Sequence, residues 1–306
     1  MFKKSYTRSA LFIVIALSTL SLALVNTSCN EQSIKKNGTS PVSAYRPDSL
    51  SFLMKFENSL FPLPSPYLIS HLIKEQDISF FNNITNKPDN AKQYETSFKQ
   101  ALNLGVYGTD ISYICLYGRT PQTIAYLSSI KKLTQELGLN SAFSPNFFEK
   151  IESNMQHKDS LLVLLSKSYR EADTYLRESD RSEIVALILT GGWTESIYLL
   201  SQIAKNTSSR ELINRLGEQK HPLDNLIEVL TPLYYKSAEY AELIDKFIDL
   251  AYEFDGIIYS YSYKEPKIDV NNKITYINSE SRVIISEYHL DIISDKIETI
   301  RKMIVE

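Results

Sequence analysis

Asp110 and Glu195 hold the same place in two similar stretches of this chain, ALNLGVYGTDISY at 101–113 and ALILTGGWTESIY at 186–198. Two carboxylates that meet can share a proton, ligate a divalent cation, or divide into general acid and general base. Two that do not meet face solvent or pair with Lys or Arg, the commoner fate of acidic side chains. The chemistry therefore needs the two groups within about 6 Å, the range over which charges couple strongly. Tyr107 and Trp193, the chain's only tryptophan, lie in the same two stretches. Tyr107, Asp110, Trp193 and Glu195 form the candidate binding set.

Other chemistry is sparse. His71, His157, His221 and His289 show no metal-ligand spacing such as HExxH, and read as surface or cap residues. Cys115 sits beside Leu116 on an apolar face with no His–Asp arrangement, as a small hydrophobe does. No GxSxG, Walker or dinucleotide glycine pattern occurs, and GGW at 191–193 has neither a preceding strand nor a following lysine. The pattern implies no cofactor, metal or catalytic residue. Tyr252, Tyr259, Tyr261 and Tyr263 cluster in YEFDGIIYSYSY. Exposed, they would stack glycans or bind protein; packed between helices, as tyrosine more often is, they are filler.

The elements that must position these residues read as helices. Apolar residues recur at three- and four-residue steps from Ala91 to Tyr117, and again at Ile124, Leu127, Ile130, Leu133 and Leu137, with Gly138 as a stop. Further helices are expected from Pro66, from Pro145 behind a Ser144 cap, and over Lys158–Leu176, Ser182–Ala204, Ser209–Leu216, Pro222–Tyr235 and Ala238–Tyr259. β-branched runs interrupted at Asn271-Asn272 predict a small antiparallel ribbon near 267–285. Ser286 then caps a last helix whose buried face is Ile293, Ile297, Ile300 and Ile304. The expected fold is all-α, a multi-helix bundle with that ribbon before its closing helix.

Two further blocks match in the same order, LTQELG (133–138) with LINRLG (212–217) and 159–175 with 224–240. They predict a tandem duplication of a three-helix unit, with copies at about 91–176 and 182–260. Gly105 and Gly108 mark one central helix, Gly191 and Gly192 the other. Each glycine costs a helix roughly 1 kcal/mol, and close backbone approach is the usual compensation. The two helices are expected to cross there, with Tyr107 and Trp193 filling the space the glycines leave.

The N-terminus reads as an address. Lys3, Lys4 and Arg8 precede an uncharged apolar run, Ala10–Val25, too short for a comfortable membrane span. VNTSCN follows, and it resembles a lipobox with Cys29 as the lipidated first mature residue; Asn26 departs from the usual aliphatic start. Residues 1–28 are then a signal peptide, 29–50 a polar tether and 51–306 one helical domain. Without the leader's three cations the chain has 30 basic and 36 acidic side chains, a net of −6. That balance, with no long basic run, makes nucleic acid an unsuitable partner.

SPYLISHLIKE, NLGVYGTDISYICLY, LILTGGWTESIYL and RLGEQKHPLDNLIEVL together resemble a group of helical, uncharacterised Bacteroidota lipoproteins, over roughly 60–305. The resemblance implies an exported, lipid-anchored helical protein and carries over no catalytic residue. The expected function is an envelope binding or scaffold protein without catalytic activity. It is held to the membrane, expected to be the outer membrane, by its lipid, with an envelope protein or small ligand as partner. The alternatives are a metal-dependent or acid/base hydrolase using Asp110 and Glu195, and a ligand-capture lipoprotein for uptake with the tyrosines as platform.

Overall fold

Thr96 opens the first long helix by accepting the Lys99 N–H at 3.2 Å, and α1 then runs over Ser97–Leu116. The computed structural model describes residues 51–56, 59–64, 73, 78–143, 146–154, 157–179 and 181–306. The signal, Cys29, the tether, the helix expected from Pro66 and the Ser144–Pro145 start lie outside them. α2 is Thr120–Glu136, with Pro121 in its first turn and Gly138 beyond its end at φ +66°, the left-handed stop glycine allows. α3 (Phe147–Ser153), α4 (Lys158–Glu178), α5 (Ser182–Thr207), α6 (Arg210–Gly217), α7 (Lys220–Leu230) and α8 (Ala238–Phe254) follow. α9 (Glu287–Val305) is capped by Ser286 and buries Ile293, Ile297, Ile300 and Ile304, as its pattern predicts.

α1 and α5 are apolar nearly all round and buried nearly all round, the pairing expected of central helices. α5 is long and apolar enough to cross a membrane, but 94% of its most apolar window is covered by the fold, so it is a core helix. α1 packs along α5, α9 lies across α5 and α8, and α7 lies against α8.

The two central helices meet at the glycines. A Cβ on Gly105 would overlap the Ile188 carbonyl oxygen and come within 2.6 Å of Gly192 N. A Cβ on Gly191 would overlap Leu102 O and reach 2.7 Å from its carbonyl carbon. Thr109 Oγ1 bridges the crossing, donating to Gly192 O at 3.0 Å. The expected crossing is present, but Tyr107 and Trp193 do not fill it. A helix turns 100° per residue, so each neighbour of a crossing glycine points elsewhere. Tyr107 packs against Tyr94 and Tyr126, and Trp193, 2% exposed, packs edge-on to Phe247 of α8.

Three expectations need correction. The helix expected to reach Tyr259 ends at Phe254, and the β ribbon begins not near 267 but at Ile258. Gly256 and the alternating IYSYS stop the helix and favour extension. Second, the domain is not helical from its start, since β1 (Ser51–Phe56) and β2 (Ser59–Pro64) form an antiparallel hairpin. Third, the blocks matched as repeats differ in structure. Residues 159–175 lie in one helix, whereas 224–240 break after Leu230 into a 3₁₀ turn before α8. This block therefore lends no support to a common unit, and the structure does not show the tandem duplication.

The ribbon is one long arm. β3 (Ile258–Ser262) pairs antiparallel with β6 (Glu280–Ile284), and β4 (Lys267–Asp269) pairs with β5 (Ile274–Tyr276). Ser279, bonded to the Lys264 N–H and carbonyl, and Asn278, bonded to Glu265 O, join the two ladders. At the base Val283 packs on Gly217, where a Cβ would come within 2.5 Å of it, and Tyr259 donates its hydroxyl proton to Gly217 O.

Candidate functional site

One turn past the glycine crossing, α1 and α5 bring Asp110 and Glu195 together in the core, both 0% exposed. The closing helix supplies a cation. Arg301 of α9 grips Glu195 with two bonds, Nε to Oε2 at 2.6 Å and Nη2 to Oε1 at 2.9 Å. Its guanidinium lies 4.2 Å over the Tyr198 ring, and Nη2 also donates to Ile84 O at 3.4 Å. Such a bidentate, stacked arrangement suits Arg and not Lys.

The two carboxyls do not play the same part. Burial raises the Asp110 pKa well above the ordinary value, and the Glu195 charge and a hydrogen bond to Glu195 raise it further, against the lowering effect of Arg301. Of the two, Asp110 is the carboxyl pushed towards its neutral form, and Glu195 is the one that Arg301 pairs with. Asp110 Oδ2 accepts the Asn86 N–H at 3.0 Å. Its other oxygen, Oδ1, is buried without a hydrogen-bond partner. Burial opposes the charge on Arg301, but the Glu195 charge and its hydrogen bonds more than offset that, and its pKa is raised.

Around it runs a polar shell that fastens the end of α9. Asn86 Nδ2 donates to Tyr94 Oη at 2.9 Å and to Asn103 Oδ1 at 3.3 Å. Asn103 Nδ2 donates to Ile304 O at 2.8 Å, Tyr94 to Val305 O at 3.0 Å and Gln93 to Val305 O at 2.9 Å. Lys99 reaches Met303 O. These carbonyls belong to the last turn of α9, where no intrahelical donor exists.

The expected pair is thus formed, and its environment restricts what it does. General acid–base work needs a substrate or water within hydrogen-bond reach. Here both Glu195 oxygens are taken by Arg301, and neither carboxyl touches solvent. Among the described residues no three His, Cys, Asp or Glu side chains converge as a metal site would require. Of the other candidate residues, Tyr107 donates to Lys87 O at 2.8 Å and Trp193 is sealed against α8. All four serve the interior. Arg301 escaped the sequence reading, though its spacing marks it: it stands four residues after Ile297 and three before Ile304, on the buried face.

Among the features outside this cluster, two bear on the expectations above. An apolar cavity of about 50 Å³ lies between the crossing and α2, α3 and α4, lined by Leu104, Gly108, Leu127, Phe147 and Leu165. It is far below the roughly 300–1,000 Å³ of a site for a drug-sized ligand. The second is the arm. Tyr261 and Tyr263 are 69% and 70% exposed, and Tyr252 at the end of α8 is 69% exposed, so the tyrosine cluster is not helix filler. Beyond it Ile268, Val270 and Ile277 are 68–80% exposed. The packed reading fails because the chain leaves the helical layer at Asp255, before three of the four tyrosines. No family model matches this chain, and no curated protein or solved structure matches it.

Proposed function

We propose that this is a lipid-anchored envelope protein that binds protein partners through its β arm and has no catalytic activity. One observation carries the reading: a two-stranded arm with aromatic and aliphatic side chains turned to solvent, on a domain whose charged pair is sealed. Isolated hairpins are marginally stable in water. Exposed apolar surface of this kind marks interaction sites, and aromatic residues are enriched in interface cores. The leader and Cys29 support an envelope location, with the 29–50 tether giving the arm reach.

A photo-crosslinking residue at Tyr261 or Tyr263, in the full chain in its own membranes, should capture the same protein species from both positions. The same residue at Trp193 should capture none, and Cys29→Ala should release the chain from membranes. Equal capture from Trp193, or none from either tyrosine, would refute binding through the arm. The alternative, an acid/base hydrolase, draws on the closeness of Asp110 and Glu195. It requires an opening that admits substrate to a pair now closed on every side.

A further inference from the structure

We infer that the first partner of the arm is a second copy of this chain, joined through the free edge of β4 in a two-fold antiparallel pairing centred on Ile268. The inference rests on the arm being the binding element, and goes further by naming what it binds.

The edge is open. β4 has β5 on one side and, among the described residues, no strand on the other. An unpaired edge is a template for another strand. Lipid is a poor alternative, because unpaired backbone groups in hydrocarbon cost several kcal/mol each.

Charge selects the partner. Nearer the base the arm satisfies its own ions: Lys264 and Arg282 both pair with Glu280. Lys267 has no acidic partner among the described residues. The sequence over 266–270 is Pro-Lys-Ile-Asp-Val. When two such strands run antiparallel about Ile268, each Lys267 stands opposite the other copy's Asp269, so both lysines gain the partner they lack. Ile268 stands opposite Ile268. Residues opposite one another and two apart share a face. The two isoleucines therefore meet on one face, and the two ion pairs lie on the other. The free edge of β5 offers no such match, since in Lys-Ile-Thr-Tyr-Ile (273–277) the only ion is Lys273.

Pairing would turn two hairpins into one four-stranded sheet, past the size at which small sheets hold together. Pro266 has no N–H, so the ladder ends there. The contact is the same patch on both copies, so it closes as a dimer and does not propagate. The outward tyrosines stay available for an envelope partner.

The test places a cysteine at the axis. In the full chain in membranes, Ile268→Cys should form a disulfide-linked homodimer under mild oxidation. Opposed Cα atoms sit about 4.5–5.5 Å apart, inside the disulfide range of about 4.4–6.8 Å. Val270→Cys should link at least tenfold more slowly, since its two copies stand four residues out of register, about 13 Å at 3.3 Å per residue. Adding Lys267→Glu to Ile268→Cys should slow linkage about tenfold. The native chain, with Cys115 buried, reports any contribution from its own cysteines. Equal linkage at 268 and 270, no homodimer, or indifference to Lys267→Glu would each overturn the pairing. If Ile268→Cys forms no homodimer while Tyr261 still captures an envelope protein, self-pairing fails and the proposed function stands. If neither occurs, both fail.

Discussion

Glu195 and Asp110 look interchangeable in the sequence, and one cation separates their roles. Glu195→Gln leaves Arg301 buried without its counter-charge and should cost about 3–5 kcal/mol. Asp110→Asn should cost little at neutral pH, because a neutral amide can still accept from Asn86 N and carries no charge beside Glu195. The pH dependence gives the sign. The folded Asp110 pKa is raised, so its contribution to stability is fully present below the ordinary carboxylate pKa of about 3.9. It is lost as pH rises through the raised value. The native protein should therefore lose stability relative to Asp110→Asn as pH increases from about 4, measured by urea unfolding at a series of pH values. A difference independent of pH would mean that Asp110 is ionised in the fold. The sequence located this pair through the matching segments but could not reveal its charge state. That depends on Arg301, which lies far along the chain and in a helix that neither segment includes.

The helices could be read from periodicity, because burial of one face imposes it. The crossing was legible too, because two glycine-bearing stretches spend helix propensity that only close backbone contact recovers. Propensity alone predicts that Gly105→Ala and Gly191→Ala stabilise by up to about 1 kcal/mol. The crossing predicts the reverse, since each new Cβ would overlap a backbone carbonyl of the other helix and neither main chain can rotate aside. Each variant should lose at least the roughly 1–3 kcal/mol typical of overpacking, seen as a lower thermal midpoint. A raised midpoint in both would deny the crossing. The strands were less legible. Pro62 and Pro64 argue against a strand, yet they stand in β2, half of a two-stranded hairpin in which every strand is an edge and a missing N–H is tolerated. The arm was misplaced because YSYSY carries both a helical aromatic spacing and a strict alternation. Only the break at Asp255–Gly256 decides between them, and a local break is a weak sequence signal.

Over the whole molecule, Arg46–Glu306 folds as one compact unit closed by its last helix. α9 buries an isoleucine face against the core. Its final carbonyls are capped by Gln93, Tyr94, Lys99 and Asn103, all more than two hundred positions earlier. Its Arg301 neutralises Glu195 at the centre. Nothing in local sequence announces such a closure, because every partner is remote. The consequence is a steep dependence on residues 301–306. Deleting residues 301–306 removes the counter-ion of a buried carboxylate, the caps' acceptors and the apolar contacts of Ile304 and Val305 together. Against the roughly 5–15 kcal/mol that hold a domain folded, loss of the Arg301 pairing alone is worth about 3–5 kcal/mol. The truncated chain should therefore be unfolded or rapidly degraded. The smaller change Arg301→Met should give a folded but destabilised protein, and Arg301→Met with Glu195→Met should recover most of that loss, because a buried ion pair replaced by apolar groups is often neutral. Urea unfolding of the two single variants and the double completes the cycle. If the double variant were as unstable as the two single losses added together, Arg301 and Glu195 would not be acting as a pair, and the closure of the fold by α9 would have to rest on its apolar face and terminal caps.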